Sequence, residues 1–195
     1  MIKERKGGIT TFLYVMIVFC YIFCHIDNGI LAVSNESLGK DLGVSDSDVG
    51  LISAGVFLGN VAGSLLTPKL LTLMKPKTAI VAAAILNALA VGVFSVTKSF
   101  WIIFASRVLV GLFQVVFVIY FPVWIDLCSP PQYQTMWISF FFLAVPVGLV
   151  LGNAITLGLS TFTYYRWGFM VQSILMIVPI SACFISIPDY YYTKE

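Results

Sequence analysis

Six long apolar runs organise the chain, separated by short stretches that hold most of the charge, proline and small polar residues. Each run approaches the roughly 20 residues that a helix needs to cross a bilayer core. The pattern predicts helices over about residues 9–33, 47–68, 77–97, 100–125, 134–159 and 167–187. The punctuation agrees with these breaks. Ser45-Asp46-Ser47-Asp48 supplies N-cap side chains for helix 2, Pro68 and Lys75-Pro76-Lys77 mark a turn before helix 3, and Ser129-Pro130-Pro131 separates helices 4 and 5. Pro188 follows helix 6. The expected fold is therefore an all-α membrane bundle. Residues 1–8 form an N-terminal segment, about 9–188 a single six-helix transmembrane domain, and 189–195 a tail.

Composition sharpens this reading. Hydrophobic residues make up 59% of the chain and charged ones 10%, with a mean hydropathy of +0.98, whereas soluble domains carry about 25% charged residues. A transmembrane barrel would show short alternating segments, and none run through this sequence. The basic N-terminus resembles a signal peptide superficially, but its apolar run is too long, contains Asp27 and lacks a small-x-small cleavage site. No basic block suits nucleic acid. Cys20, Cys24, Cys128 and Cys183 lie in or beside apolar runs without metal-type spacing, so they read as packing residues. With one histidine, no phosphate loop and no nucleophile–base pattern, the sequence offers neither an enzyme site nor a cofactor or metal site.

Lysine and arginine set the orientation. Lys3, Arg5, Lys6, Lys69, Lys75, Lys77 and Lys194 fall on one side, and Lys40, Lys98 and Arg166 on the other, so both termini are expected to be cytoplasmic. The Asn35-Glu36-Ser37 sequon then faces outward, too close to helix 1 for ready glycosylation. Asp27 and Arg107 are the two charges set inside the apolar runs, where a charge costs roughly 2.5–3.5 kcal/mol at mid-membrane. Each lies six or so residues from the outer end of its helix, about 9–10 Å below the same surface. Equal depth permits an ion pair, either static and helix-orienting or engaged by a solute or proton.

Arg107, Gly111 and Gln114 share a face of helix 4, with Val110 and Phe117 nearby, a mixed lining suited to an amphipathic or aromatic ligand. His25 and Asn28 are polar neighbours of Asp27, although His25, two residues away, points elsewhere on the helix. Helix 2 carries Gly55, Gly59 and Gly63, a small-residue ridge that lets helices pack closely or slide. Helix 5 carries Pro146, Gly148 and Gly152, and its proline permits a kink.

These residues resemble half of a major facilitator superfamily transporter, nearest the spinster-like branch. The signs are Ile26-Asp27-Asn28, Arg107-Val108-Leu109-Val110-Gly111, Tyr120-Phe121-Pro122-Val123-Trp124-Ile125-Asp126 and Ala144-Val145-Pro146-Val147-Gly148 with Gly152. The resemblance implies the N-terminal half, built as two inverted three-helix repeats with helices 1 and 4 lining a central cavity. It also implies alternating access and often proton-coupled export of lipids or other amphipathic solutes, with sugars and small anions elsewhere in the superfamily. Asp27, Arg107, Gln114, Asn28 and His25 would be the solute or coupling residues. Three positions depart from the family's pattern. Thr67 stands where the signature after helix 2 has an Asp, Gln114 where an acidic residue follows the helix 4 arginine, and Asn28 where an arginine follows the helix 1 Asp. Proton coupling would then fall on Asp27 alone. The expected partners are the bilayer, a small or lipid-like solute, and either a second copy in a homodimer or a C-terminal half. A non-transporting scaffold derived from such a half is the alternative.

Overall fold

The computed structural model describes residues 7–160 and 165–186, with side chains over 8–158 and 165–177. Expectations resting on Lys3, Arg5, Lys6, Cys183, Pro188 and Lys194 lie outside the described residues. Helices α1 (Gly7–Leu42), α2 (Asp46–Leu73), α3 (Pro76–Val96), α4 (Phe100–Cys128), α5 (Gln134–Ser160) and α6 (Arg166–Ser186) follow in order, with a 3₁₀ turn at Pro131–Tyr133 before α5. The first five elements are long and apolar enough to cross a membrane among the described residues. A lipid environment favours helices because every backbone group must find its partner within the segment.

Two helix ends differ from the sequence expectation. Helix α1 continues to Leu42, nine residues past 33, so the sequon lies inside it. A Lys40–Glu36 pair at 2.6 Å supports this extra polar turn one helical step apart. Gly43, at φ +64°, then stops the helix in the left-handed region, and Val44 N–H reaches back to the Gly39 carbonyl at 3.2 Å. Pro68 does not end α2, which runs on to Leu73 with the proline inside it. Proline costs one backbone bond there, and the break comes instead at Met74-Lys75-Pro76. At its start α2 has a full capping box. Ser45 Oγ accepts from the Asp48 N–H at 3.3 Å, and Asp48 accepts from the Ser45 N–H at 3.2 Å.

Helices α1 and α4 form the centre. The most extensive packing joins α1 to α5 and α2 to α4, while α3 lies against α4 and α6, and α6 also lies against α1. Exchanging α1 with α4, α2 with α5 and α3 with α6 maps this set of contacts onto itself. Glycine makes both main contacts close. A Cβ on Gly59 would fall on the Val108 carbonyl oxygen and one on Gly111 on that of Val56. Across α1 and α5, a Cβ on Gly29 would overlap the Leu149 carbonyl and one on Gly152 that of Ile26. Gly148 approaches the Ile22 carbonyl, where a Cβ would lie at 2.6 Å.

The core divides into two apolar layers stacked along the helices. One, at the end bearing the α2–α3 turn, gathers Leu13, Tyr21, Ala84, Phe117, Trp124 and Phe141. The other, at the end bearing the α1–α2 turn, gathers Ile30, Leu38, Ile52, Phe94, Ile103 and Phe169. Side chains that would be costly in either layer meet where the two layers join.

Candidate functional site

That junction holds Asp27 and Arg107. Arg107 Nη1 donates to Asp27 Oδ2 at 2.7 Å, and the two residues are 1% and 0% exposed. Helix α1 supplies the acid and α4 the base, although Asp27 lies 15 residues before the end of α1 at Leu42 and not the six or so expected from a helix ending at 33. The guanidinium is packed between rings, with its central carbon 4.4 Å from the Phe94 centroid on α3 and 5.0 Å from that of Phe169 on α6. Such cation–π contacts partly replace lost hydration. Gly55 of α2 backs the same side chain, since a Cβ there would lie 3.2 Å from Arg107 Cβ. Asp27 Oδ1 and Arg107 Nε and Nη2 have no hydrogen-bond partner. The pair is thus enclosed by aromatic rings, yet has unused hydrogen-bonding capacity.

The remaining expected residues collect around a different side of α1. Two residues along a helix turn the side chain by about 160°, so His25 points almost opposite Asp27. Gln114 Nε2 donates to the Cys24 carbonyl at 3.1 Å and lies 3.1 Å from His25 Nδ1. Asn28 Nδ2 lies 3.4 Å from the same Nδ1. Amide nitrogens only donate, so Nδ1 is the acceptor and the neutral ring carries its proton on Nε2. That Nε2 is buried and has no partner. Tyr21 holds the ring edge-on at 4.6 Å, and Tyr21 in turn stacks on Phe141 at 4.2 Å.

His25 and Asn28 are half-buried and belong to a partly open stripe of α1 that also includes Val18, Ile22 and Ala32. Beside this stripe, α1 and α5 enclose an apolar groove of about 270 Å³ lined by Val15, Val18, Phe19, Ile22, Leu143 and Val147. The groove lining includes Ile22, one helical turn before His25, and not His25 itself. Val110 and Phe117, expected to line a cavity with Gln114, are instead 1% and 0% exposed within the two core layers. Polar side chains on outer helices complete the belt. Asn87 of α3 donates to the Val110 carbonyl at 3.1 Å, and Gln172 of α6 donates to the Phe23 carbonyl at 3.0 Å. Among the described residues no cluster of His, Cys, Asp or Glu has the makings of a metal site.

Two features escaped the sequence reading. Arg166 donates to Asp41 through Nη2 at 2.6 Å and Nε at 3.2 Å, and its Nη1 reaches the Thr97 carbonyl and, at 3.3 Å, that of Ser95. Tyr165 Oη also donates to Asp41 at 3.2 Å. This clasp ties the ends of α1, α3 and α6; in sequence Arg166 entered only as a loop charge, and nothing local singles out Asp41 or Tyr165. The second is an internal echo: Gly55-Val-Phe-Leu-Gly59-Asn60 on α2 and Gly148-Leu-Val-Leu-Gly152-Asn153 on α5. Both place their second glycine at the closest helix approach, and both asparagine Oδ1 atoms are buried without a partner.

Comparison with known proteins agrees with this architecture. The sequence profile described as Major Facilitator Superfamily matches residues 17–191. A curated relative, the probable sphingolipid transporter spinster homolog 1 of Arabidopsis thaliana, is 23% identical over 138 residues, covering 71% of this chain and 28% of that protein. The crystal structure of a D-xylose-proton symporter superposes with a TM-score of 0.77 at 15% identity, covering 90% of this chain and 47% of that one. The chain thus spans about a quarter of the curated relative and about half of the symporter. The family match and the curated relative agree with the spinster-like resemblance. A multi-pass integral membrane protein, this chain belongs to the Major Facilitator Superfamily.

Proposed function

We propose that the chain forms the N-terminal bundle of a secondary transporter that moves a small amphipathic organic solute by alternating access. The observation that carries this reading is the unpartnered His25 Nε2, set on a half-buried stripe beside an apolar groove. A solute's polar group would accept from that nitrogen, and its apolar portion would lie along Ile22 and Leu143. Helices α1–α3 and α4–α6 serve as two inverted repeats, a reading supported by the exchangeable helix contacts and the Gly-x-x-Leu-Gly-Asn echo. All six helices cross the membrane with both termini cytoplasmic, following the lysine bias. A second bundle, from another copy or from a C-terminal half, completes the path.

Asp27 and Arg107 act as the coupling pair in this scheme, opening and reforming as α1 and α4 move. The test is uptake of a labelled single-chain amphiphile by cells expressing the protein. Asp27→Asn abolishes uptake while membrane insertion stays intact, and unchanged uptake would overturn the assignment. His25→Ala raises the half-saturating concentration, and uptake of D-xylose in place of the amphiphile would contradict the solute class.

The complete enclosure of the ion pair favours one second reading, a non-transporting scaffold whose pair only orients helices. A scaffold tolerates Asp27→Asn but fails when Gly55, Gly59 and Gly63 are enlarged to Leu.

A further inference from the structure

The helix pairs α1–α5 and α4–α2 pack through matching contacts, and the match sets His25 beside Arg107 for comparison. A Cβ added to Gly55 would lie 3.2 Å from Arg107 Cβ, and one added to Gly148 would lie 2.9 Å from His25 Cβ. The neighbouring contacts keep the same offsets, Gly59 against Val108 and Leu112, Gly152 against Ile26 and Ile30. His25 therefore holds on α1 the place that Arg107 holds on α4, in a different chemical setting. The fixed charge of Arg107 is met by Asp27 at 2.7 Å and by two aromatic rings. His25 is met by the amide nitrogens of Gln114 and Asn28 at Nδ1 and by the ring of Tyr21, with no carboxylate among these contacts. Gln114 fixes the ring's proton. Its Nε2 also faces the Cys24 carbonyl at 3.1 Å, which only accepts, so that atom is the donor and Nδ1 must accept from it. The proton is left on His25 Nε2, which is buried and has no partner.

We infer that the solute bound at His25 carries an uncharged hydrogen-bond acceptor as its head, a carbonyl or amide oxygen, and that ammonium and phosphate heads are both disfavoured. This rests on the solute path proposed above and names the chemistry of its polar end. One neutral N–H supplies one hydrogen bond and no charge. A head that reaches a buried nitrogen leaves bulk water, and an unmatched charge there costs far more than a hydrogen-bonded dipole. The surroundings supply no match. No charged residue lines the adjacent groove, whose wall includes Ile22 one turn before His25. Asp27 and Arg107, the nearest charges along α1 and α4, are 0% and 1% exposed and already hold each other. An ammonium head also brings only donors to a nitrogen that is itself a donor. Gln114 is thus a positioning residue, acting on the solute through the tautomer of His25.

His25 is the sole histidine of the chain, so isotopically labelled histidine read by nitrogen NMR reports this ring alone. The full chain in phosphatidylcholine nanodiscs is titrated with three probes of equal tail length, N,N-dimethyldecanamide, decyl phosphate and decylammonium, each counted by its concentration in the lipid phase. The free protein is expected to show a bare Nδ1 and a protonated Nε2. The amide probe should shift the Nε2 signal at a concentration about tenfold or more below that needed by either charged probe, given the cost of a charge among apolar helices. Gln114→Leu removes the donor that fixes the ring, so both singly protonated forms should appear and the advantage of the amide probe should shrink. A proton on Nδ1, or on both nitrogens, of the unaltered protein overturns the inference. So does a charged probe that binds as tightly as the amide while the amide still binds, an outcome that leaves the solute path standing. If no probe moves the signal, the solute path itself fails and this inference falls with it.

Discussion

Asp27 and Arg107 show how far single residues can be read from sequence. Two opposite charges within apolar helices permitted an ion pair, and the 2.7 Å contact is that pair, although the helix 1 end used to estimate its depth lies nine residues further on. Their surroundings were not legible, because Phe94 and Phe169 arrive from α3 and α6, more than 60 positions apart from Asp27 in sequence or beyond, with no local signal. Removing one member of a buried pair leaves the other uncompensated, at a cost of about 3–5 kcal/mol. Arg107→Ala should therefore lower unfolding stability by that order in a denaturing-detergent titration. The double change Asp27→Asn with Arg107→Gln should cost less than the sum of the two single changes. Additive losses would show that the two groups do not act on each other. Gly43 is a simpler case. Its left-handed backbone disfavours a Cβ by about 1–2 kcal/mol, so Gly43→Val should destabilise the α1–α2 turn by that amount, while Gly8→Val, where nothing lies within 4 Å of a Cβ, should have little effect.

At the scale of elements, periodic hydrophobicity located the helices, but their ends followed other rules. The polar turn after Val33 stays helical because Lys40 and Glu36 pair and Gly43 provides the stop. Pro68 misled because a long α2 tolerates one missing backbone bond. The glycine ridge on α2 was legible from its spacing, whereas Gly29 was not, since a lone glycine in α1 has no ridge to announce it. Its partner is Gly152, and the two glycines let α1 and α5 approach as Gly59 and Gly111 let α2 and α4 approach. Both contacts involve backbone carbonyls that cannot swing aside. Gly29→Leu and Gly111→Leu should therefore each prevent correct assembly, read as loss of monodisperse protein after detergent extraction. Gly158→Leu, with open space around it, should extract normally.

Across the whole molecule, polar groups concentrate between two apolar layers. The fold class followed from composition and run length, and the belt follows from cost: an amide or charge is least unfavourable where several helices each bring a partner. The Asp41–Arg166 clasp lies apart from the belt and joins the ends of three helices, using carbonyls at the end of α3 that favour a cation. Arg166→Ala should loosen that end alone, seen as faster amide exchange in residues 38–42 and 93–97 with the belt unchanged. The central claim is that α1 separates an enclosed charge pair from an open polar stripe. Cysteine scanning tests it most directly, in a background with Cys20, Cys24, Cys128 and Cys183 replaced by alanine. A membrane-impermeant thiol reagent is expected to label cysteines at Ile22, His25 and Asn28 and to leave those at Ile26 and Ile30 unmodified. Labelling at Ile26 and Ile30, with none at His25 and Asn28, would contradict the account.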